Sequence, residues 1–261
     1  MRAIVLAAGM GTRLGKYTQG LPKGMLAIEG KTILQHQLET YHDCGIHDIV
    51  VVKGYAAEKI DYDGVNYCVN VDYASTNMVE SLMCARGYLD TDVIISYADV
   101  VFEERVLRGL MDFTADMVVT VDTDWQQYWT ARFGDLNSDL EGLQLDATGK
   151  ILRLGDPDVS AVEIDARYVG ILKFSRNGAQ RLIELYESAR ENYAGGKWRY
   201  SKNFRNAYMT DLIQELIDEG EQVSAYPIKG GWLEFDTVED YENYQRWIES
   251  GTMSRFTNLW D

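Results

Sequence analysis

Proline, cysteine and histidine are scarce in this chain of 261 residues, three of each. Positive charge is short as well: 25 Lys and Arg stand against 41 Asp and Glu, for a net charge of −16. Each shortage excludes something. So few prolines beside 46% apolar residues exclude a low-complexity or disordered chain and leave length for a sizeable core. Cys44, Cys68 and Cys84 are odd in number and form no C-x-x-C pair, so they predict reduced thiols and a cytoplasmic setting. The apolar opening from Ala3 breaks at Gly9, too short for the core of a leader, and no run approaches the roughly 18 apolar residues of a membrane span. The negative balance argues against a general nucleic-acid or membrane-surface binder, because both need a basic face to meet phosphates.

The cations that are present cluster. Among residues 1–31, Arg2, Arg13, Lys16, Lys23 and Lys31 face Glu29 alone. Chance gives such a cluster, and so does a local site that draws an anionic ligand into an otherwise repelling field.

From Ala3 to about Asp122, short β-branched runs alternate with helical periods, which predicts βαβ units on a mainly parallel sheet. The predicted strands are 3–6, 48–52, 65–69, 93–96 and 117–121. The predicted helices are one from Ile33 that ends at Gly45, then 78–89 and 103–113. Beyond Asp122 the pattern predicts a hairpin over 143–154, strands at 167–174, 222–227 and 232–235, and helices at 178–191, 207–219 and 238–250, the last capped by Thr237. No linker or repeat interrupts the chain. It reads as one continuous domain, a doubly wound α/β fold with an inserted lobe.

The first strand runs directly into Ala7-Ala8-Gly9-Met10-Gly11-Thr12-Arg13-Leu14. A glycine-rich turn at the carboxyl end of a parallel strand lets backbone N–H groups converge on phosphate oxygens. Two familiar versions are excluded by counting. A Rossmann fingerprint needs glycine where Leu14 stands, and a P-loop needs four residues between its glycines and Ser or Thr after its lysine. The stretch Leu6 to Leu14, followed by Thr18 and Pro22-Lys23, instead resembles the signature loop of the nucleotidyltransferases that join a nucleoside triphosphate to a phosphorylated small molecule. The resemblance implies a Rossmann-like mixed sheet of that type. It assigns residues 1–122 to the nucleotide, 123–232 to the acceptor, and 233–261 to a metal-binding strand and closing helix. Leu6, Ala7, Ala8, Gly9, Met10, Gly11 and Thr12 would wrap the nucleotide, while Arg13 and Lys23 would neutralise its phosphates as pyrophosphate departs. On the residues alone, Arg13 and Lys23 also read as solvated surface charges.

Asp99 follows the strand Ile94-Ile95-Ser96, where the family holds its metal, and a triphosphate substrate implies magnesium. Asp236, in Glu234-Phe235-Asp236-Thr237, resembles the acidic pair of the smaller cytidylyltransferases that act on phosphocholine and small phosphonates. It reads equally as a cap of the last helix, and Glu234 as a second ligand or the partner of a cation. Asn77 and Ser81 resemble those enzymes' base-side segment, with a plain N-cap as the other reading of Asn77. Lys173 and Asp211 lie in segments that resemble the strand and helix around the acceptor. The chain departs from its relatives at Gly155-Asp156, where phosphonate-type enzymes carry Gly-Lys, and it lacks the Glu-Lys-Pro of sugar-phosphate enzymes. That leaves Arg153, Arg167, Lys173 or the basic loop 197–205 for the acceptor's phosphate. The aromatics Trp125, Tyr128, Trp129, Trp198, Tyr200, Phe204, Tyr208 and Trp232 read as core, as a homodimer contact, or as a cation–π box for an ammonium group. The expectation is a magnesium-dependent cytidylyltransferase that condenses CTP with a small phosphorylated or phosphonate acceptor. The alternatives are a sugar 1-phosphate thymidylyl- or uridylyltransferase and a non-catalytic nucleotide-binding regulator.

Overall fold

The computed structural model describes residues 1–193 and 196–260. In chain order the elements are β1 (Arg2–Ala7), β2 (Ala27–Ile28), β3 (Lys31–Thr32), α1 (Ile33–Asp43), β4 (Ile49–Lys53), β5 (Val65–Val69), α2 (Met78–Cys84), β6 (Val93–Tyr97), β7 (Val100–Phe102), α3 (Glu104–Asp112), β8 (Met117–Asp122), α4 (Trp125–Phe133), β9 (Leu143–Leu145), β10 (Ile151–Leu154), β11 (Arg167–Phe174), α5 (Arg176–Tyr193), α6 (Met209–Asp218), β12 (Ser224–Ile228), β13 (Trp232–Glu234) and α7 (Val238–Glu249). No helix among the described residues is long and apolar enough to cross a membrane.

Seven strands form the central sheet in the order β12-β8-β11-β6-β1-β4-β5. β6 and β8 are buried along their whole length, as strands covered by helices on both faces must be, and this is why they read as largely apolar runs with only Ser96, Thr120 and Asp122 polar. All pairings are parallel except those of β11, which runs antiparallel between β6 and β8. From β1 the chain goes outward through β4 and β5, then returns to β6 on the other side of β1. That reversal opens a crevice at the carboxyl ends of β1 and β6, the place where open α/β sheets take ligands.

Three features depart from the sequence expectation. Helix α2 ends at Cys84, and Arg86–Tyr88 continues as a single 3-10 turn around Gly87, a weak helix former. Residues 125–133 form α4, with buried positions at Trp125, Tyr128, Trp129 and Arg132. Val100–Phe102 is a separate strand, which pairs antiparallel with β13 at Trp232↔Phe102, Leu233↔Val101 and Glu234↔Val100. Phe235 N donates to Asp99 O at 2.8 Å, so this ribbon brings the turn after β6 beside the segment leading into α7.

Candidate active site

The loop after β1 is shaped by one glycine. Gly11 takes a left-handed conformation at φ 61°, and a Cβ there would stand 3.0 Å from Lys23 Cβ. The Thr18 hydroxyl donates to Gly11 O at 2.8 Å, stapling the loop closed around Lys23. Pro22, fixed in an extended conformation, turns the chain so that Lys23 points inward.

Lys23 is the centre of the site. Its Nζ donates to Asp99 Oδ2 at 2.5 Å and to Asp236 Oδ1 at 2.6 Å. Arg13, with 62% of its side chain exposed, reaches the other oxygen of Asp236 at 2.5 Å. Burial works against the Lys23 ammonium, but Asp99, Asp236 and Glu234 outweigh it and hold the lysine above its usual pKa. Asp99 is pushed up by burial and by the charges of Glu234 and Asp236, against the pull of Lys23. Its Oδ1 is buried and has no hydrogen-bond partner. Burial would raise Glu234 too, but Arg132 and Lys23 bring it below the ordinary glutamate value.

Arg132 holds this arrangement from behind. Fully buried, it donates to both oxygens of Asp240 at 2.8 and 2.7 Å and to Glu234 at 2.9 Å. Asp240 in turn accepts from Asp236 N at 3.2 Å and Thr237 N at 2.9 Å, closing a capping box with Thr237 at the start of α7. The cap is therefore supplied by Thr237 and Asp240, which leaves the Asp236 side chain for Lys23 and Arg13. Sequence reasoning missed Arg132. Its signal was a charged residue in register with Trp125, Tyr128 and Trp129 on the apolar face of a helix.

Two cavities meet at this cluster. The smaller, about 120 Å³, is lined by Leu6, Ala7, Ala8, Gly9, Asn77 and Ser81 among others. The larger, about 600 Å³, is lined by Arg13, Glu141, Arg167, Tyr168, Thr210, Glu234 and Asp236 among others. Lys23, Met78, Tyr97 and Asp99 form the wall common to both. Asn77 caps α2 by accepting from Met78 N at 2.9 Å and also lines the smaller cavity. Ser81 accepts from Asn70 at 3.0 Å, and Met10 and Thr12 are exposed on the loop itself. Gly170 has φ 79°, and a Cβ there would stand 2.8 Å from the Tyr97 ring; the missing side chain makes room for that wall.

Several residues singled out from the sequence are not brought to the site. Lys173 donates to Met111 O and Phe113 O, both at 2.7 Å, at the far edge of the sheet. Asp211 accepts from Tyr200 N and Tyr208 N, so it fixes two tyrosines of the larger cavity without facing it. The N-terminal cluster disperses: Arg2 pairs with Asp48 and Asp90, Lys16 with Glu242 and Lys31 with Glu39. In the basic loop, Arg199 is taken by Glu215 and Asp218, and Arg205 by Asp72. Arg153 is exposed. Trp125, Tyr128, Trp129, Trp198, Phe204 and Trp232 are core, while Tyr200 and Tyr208 stay exposed at the rim. His36 bonds to Ile28 O, and His42 packs on His47, away from the cluster.

Residues 3–155 match the MobA-like NTP transferase domain family. Over 253 residues the chain is 34% identical to the CTP:phosphoglutamine cytidylyltransferase of Campylobacter jejuni, covering 93% of this chain and 98% of that one. It is 25% identical to the choline-phosphate cytidylyltransferase of Streptococcus pneumoniae, over 96% of this chain and 99% of the relative. The solved structure of the phosphocholine cytidylyltransferase of S. pneumoniae superposes with a TM-score of 0.74 at 22% identity, covering 95% of this chain and 98% of that one, and so shares the fold. The chain belongs to the MobA-like NTP transferase domain family and is a nucleotidyltransferase.

Proposed function

We propose that the chain is a magnesium-dependent cytidylyltransferase that joins CTP to a small phosphorylated acceptor of the kind named for its relatives, phosphoglutamine or phosphocholine. The observation that carries this reading is the cluster of Lys23, Asp99 and Asp236 at the wall between two cavities. The nucleotide lies along the loop after β1, the acceptor enters the larger cavity, and the reacting phosphates meet at the wall. An oxygen of the acceptor phosphate forms a bond to the α-phosphorus of CTP as the bond from that phosphorus to the bridging oxygen breaks. The electron pair leaves with pyrophosphate. Because the attacking phosphate is already ionised, no protein base is needed, and the chain's contribution is orientation and neutralisation by Arg13 and Lys23.

The residues fit a hard dication. Asp99 carries a buried oxygen without a partner, and Asp236 converges with it on the same ammonium. No cluster of three or more His, Cys, Asp or Glu able to hold a metal exists among the described residues, so the protein would offer two carboxylates and the triphosphate would complete the shell. Bound there, magnesium would act as a Lewis acid on the α-phosphate.

Pyrophosphate release over a grid of four nucleoside triphosphates and four acceptors (phosphoglutamine, phosphocholine, 2-aminoethylphosphonate and hexose 1-phosphate), with and without magnesium, tests this. Release with CTP and one of the first three is expected. Release only with UTP or dTTP and a hexose 1-phosphate would replace the acceptor class, and silence with intact nucleotide binding would favour a regulator.

A further inference from the structure

Arg167 opens β11 opposite Asp122, at the carboxyl ends of the parallel strands and therefore on the side of the site. It is 7% exposed and lies over the Trp129 ring at 3.9 Å. Its Nε and Nη1 are buried without a hydrogen-bond partner, yet the residue lines the larger cavity. Arg132, equally buried on the same tryptophan, uses all three nitrogens on Asp240 and Glu234. The contrast is informative. An always-charged, planar, five-donor group removed from water without acceptors is costly, and a fold keeps one where a ligand supplies the acceptors.

The surroundings narrow the ligand. Arg13 and Lys23 line the same cavity and are the cations that the proposed reaction sets on the reacting phosphates. Tyr97, Tyr168, Tyr200 and Tyr208 line the cavity, while Arg132 and Arg167 cover the Trp129 ring behind it, so at that wall the cavity meets a cation and not an open aromatic face. Glu141 lines the same cavity and accepts from Thr210 Oγ1 at 2.8 Å, with Asp139 beside it on the cavity wall. Burial pushes the Glu141 carboxyl up, and the nearby Arg167 charge opposes that. A guanidinium with two buried nitrogens lacking acceptors, next to acceptor-only carboxylates, matches a carboxylate and an ammonium carried on one small molecule.

We infer that Arg167 is the receptor for a carboxylate of the acceptor, whose ammonium meets Glu141, so that the enzyme takes phosphorylated amino acids rather than phosphocholine. This rests on the nucleotidyl-transfer reading and specifies its substrate class.

The test compares acceptors that differ only in the carboxylate, O-phosphoserine against phosphoethanolamine, with phosphoglutamine as a second carboxylate acceptor. Arg167→Met and Arg167→Lys are assayed by pyrophosphate release, and acceptor binding is followed by calorimetry with a non-hydrolysable CTP analogue. The wild-type chain should prefer the carboxylate acceptors. Arg167→Met should lower kcat/KM for them by about 100-fold or more, while changing phosphoethanolamine only a few-fold and leaving nucleotide binding intact. The selectivity ratio is read within one preparation, so partial misfolding does not mimic the result. Arg167→Lys, which keeps the charge without the fork, should fall between. An equal loss for both acceptor types would place the phosphate on Arg167 and overturn the carboxylate assignment. No change in the ratio, or no binding of either carboxylate acceptor to the wild-type chain, would overturn it as well. Arg167-dependent binding without pyrophosphate release would leave this inference standing and sink the transfer reaction instead.

Discussion

Arg132→Met asks whether the site is held from behind as the geometry indicates. The guanidinium gives Asp240 two hydrogen bonds and Glu234 a third, all between 2.7 and 2.9 Å. Methionine would keep the apolar packing against Trp129 and Phe133 but leave Asp240, 1% exposed, as a bare carboxylate in the core. Removing one partner of a buried pair costs about 3–5 kcal/mol. At roughly 2–4 °C per kcal/mol for a chain near this size, the melting temperature should fall by ~6–20 °C. Adding Asp240→Asn removes the stranded charge while an amide oxygen still accepts from Asp236 N and Thr237 N, so the double variant should recover about 2 kcal/mol over the additive expectation. Urea denaturation of the two single variants and the double gives these numbers. Pyrophosphate release should fall as well, by about 100-fold, because Asp236 and Glu234 lose their anchor. A single variant within about 1 kcal/mol of wild type, with an additive double, would refute the reasoning.

Asp99→Asn should leave the melting temperature unchanged or higher, because burial and neighbouring carboxylates already raise the Asp99 pKa, so its contribution favours the fold only at acidic pH and is lost as pH rises. Turnover should drop at least ~100-fold in the same preparation, by pyrophosphate assay. Lys23→Met should cost about 3 kcal/mol in urea denaturation at neutral pH. The Lys23 pKa is raised above its usual value of 10.5, so its stabilisation is complete below that pH and lost above it. The gap between wild type and Lys23→Met should therefore close only in strongly alkaline solution, as followed by circular dichroism. Gly170→Ala puts a Cβ at φ 79° against Tyr97 and should cost about 2 kcal/mol in stability, with a measurable rise in KM for the acceptor.

What was legible in the sequence was local. The turn from β1 through Gly9, Gly11, Arg13 and Lys23 is one short stretch, and Asp99 sits in the turn just beyond an apolar strand; the structure brings Arg13, Lys23 and Asp99 together with Asp236. The dispersal of Arg2, Lys16 and Lys31 was not legible, because proximity along the chain says nothing about ends of a strand: Arg2 begins β1 and the loop ends it. Lys173 and Arg167 teach the same lesson within one strand. Six residues at 3.3 Å separate them by about 20 Å. Because β11 runs antiparallel, its first residue and not its seventh lies at the carboxyl edge of the sheet. Strand direction is set by long-range pairing, which no window of sequence contains. The β7–β13 ribbon and the reach of Arg132 to Asp240 are likewise contacts across more than a hundred residues.

The most direct test of nucleotidyl transfer at Lys23, Asp99 and Asp236 is phosphorus NMR of the wild-type chain with CTP, magnesium and a phosphorylated acceptor, run beside Asp99→Asn. The account predicts new diphosphate resonances linking CMP to the acceptor phosphate, together with free pyrophosphate, for the wild type and neither for the variant. Equal product from both chains, or pyrophosphate without a linked product, would contradict it.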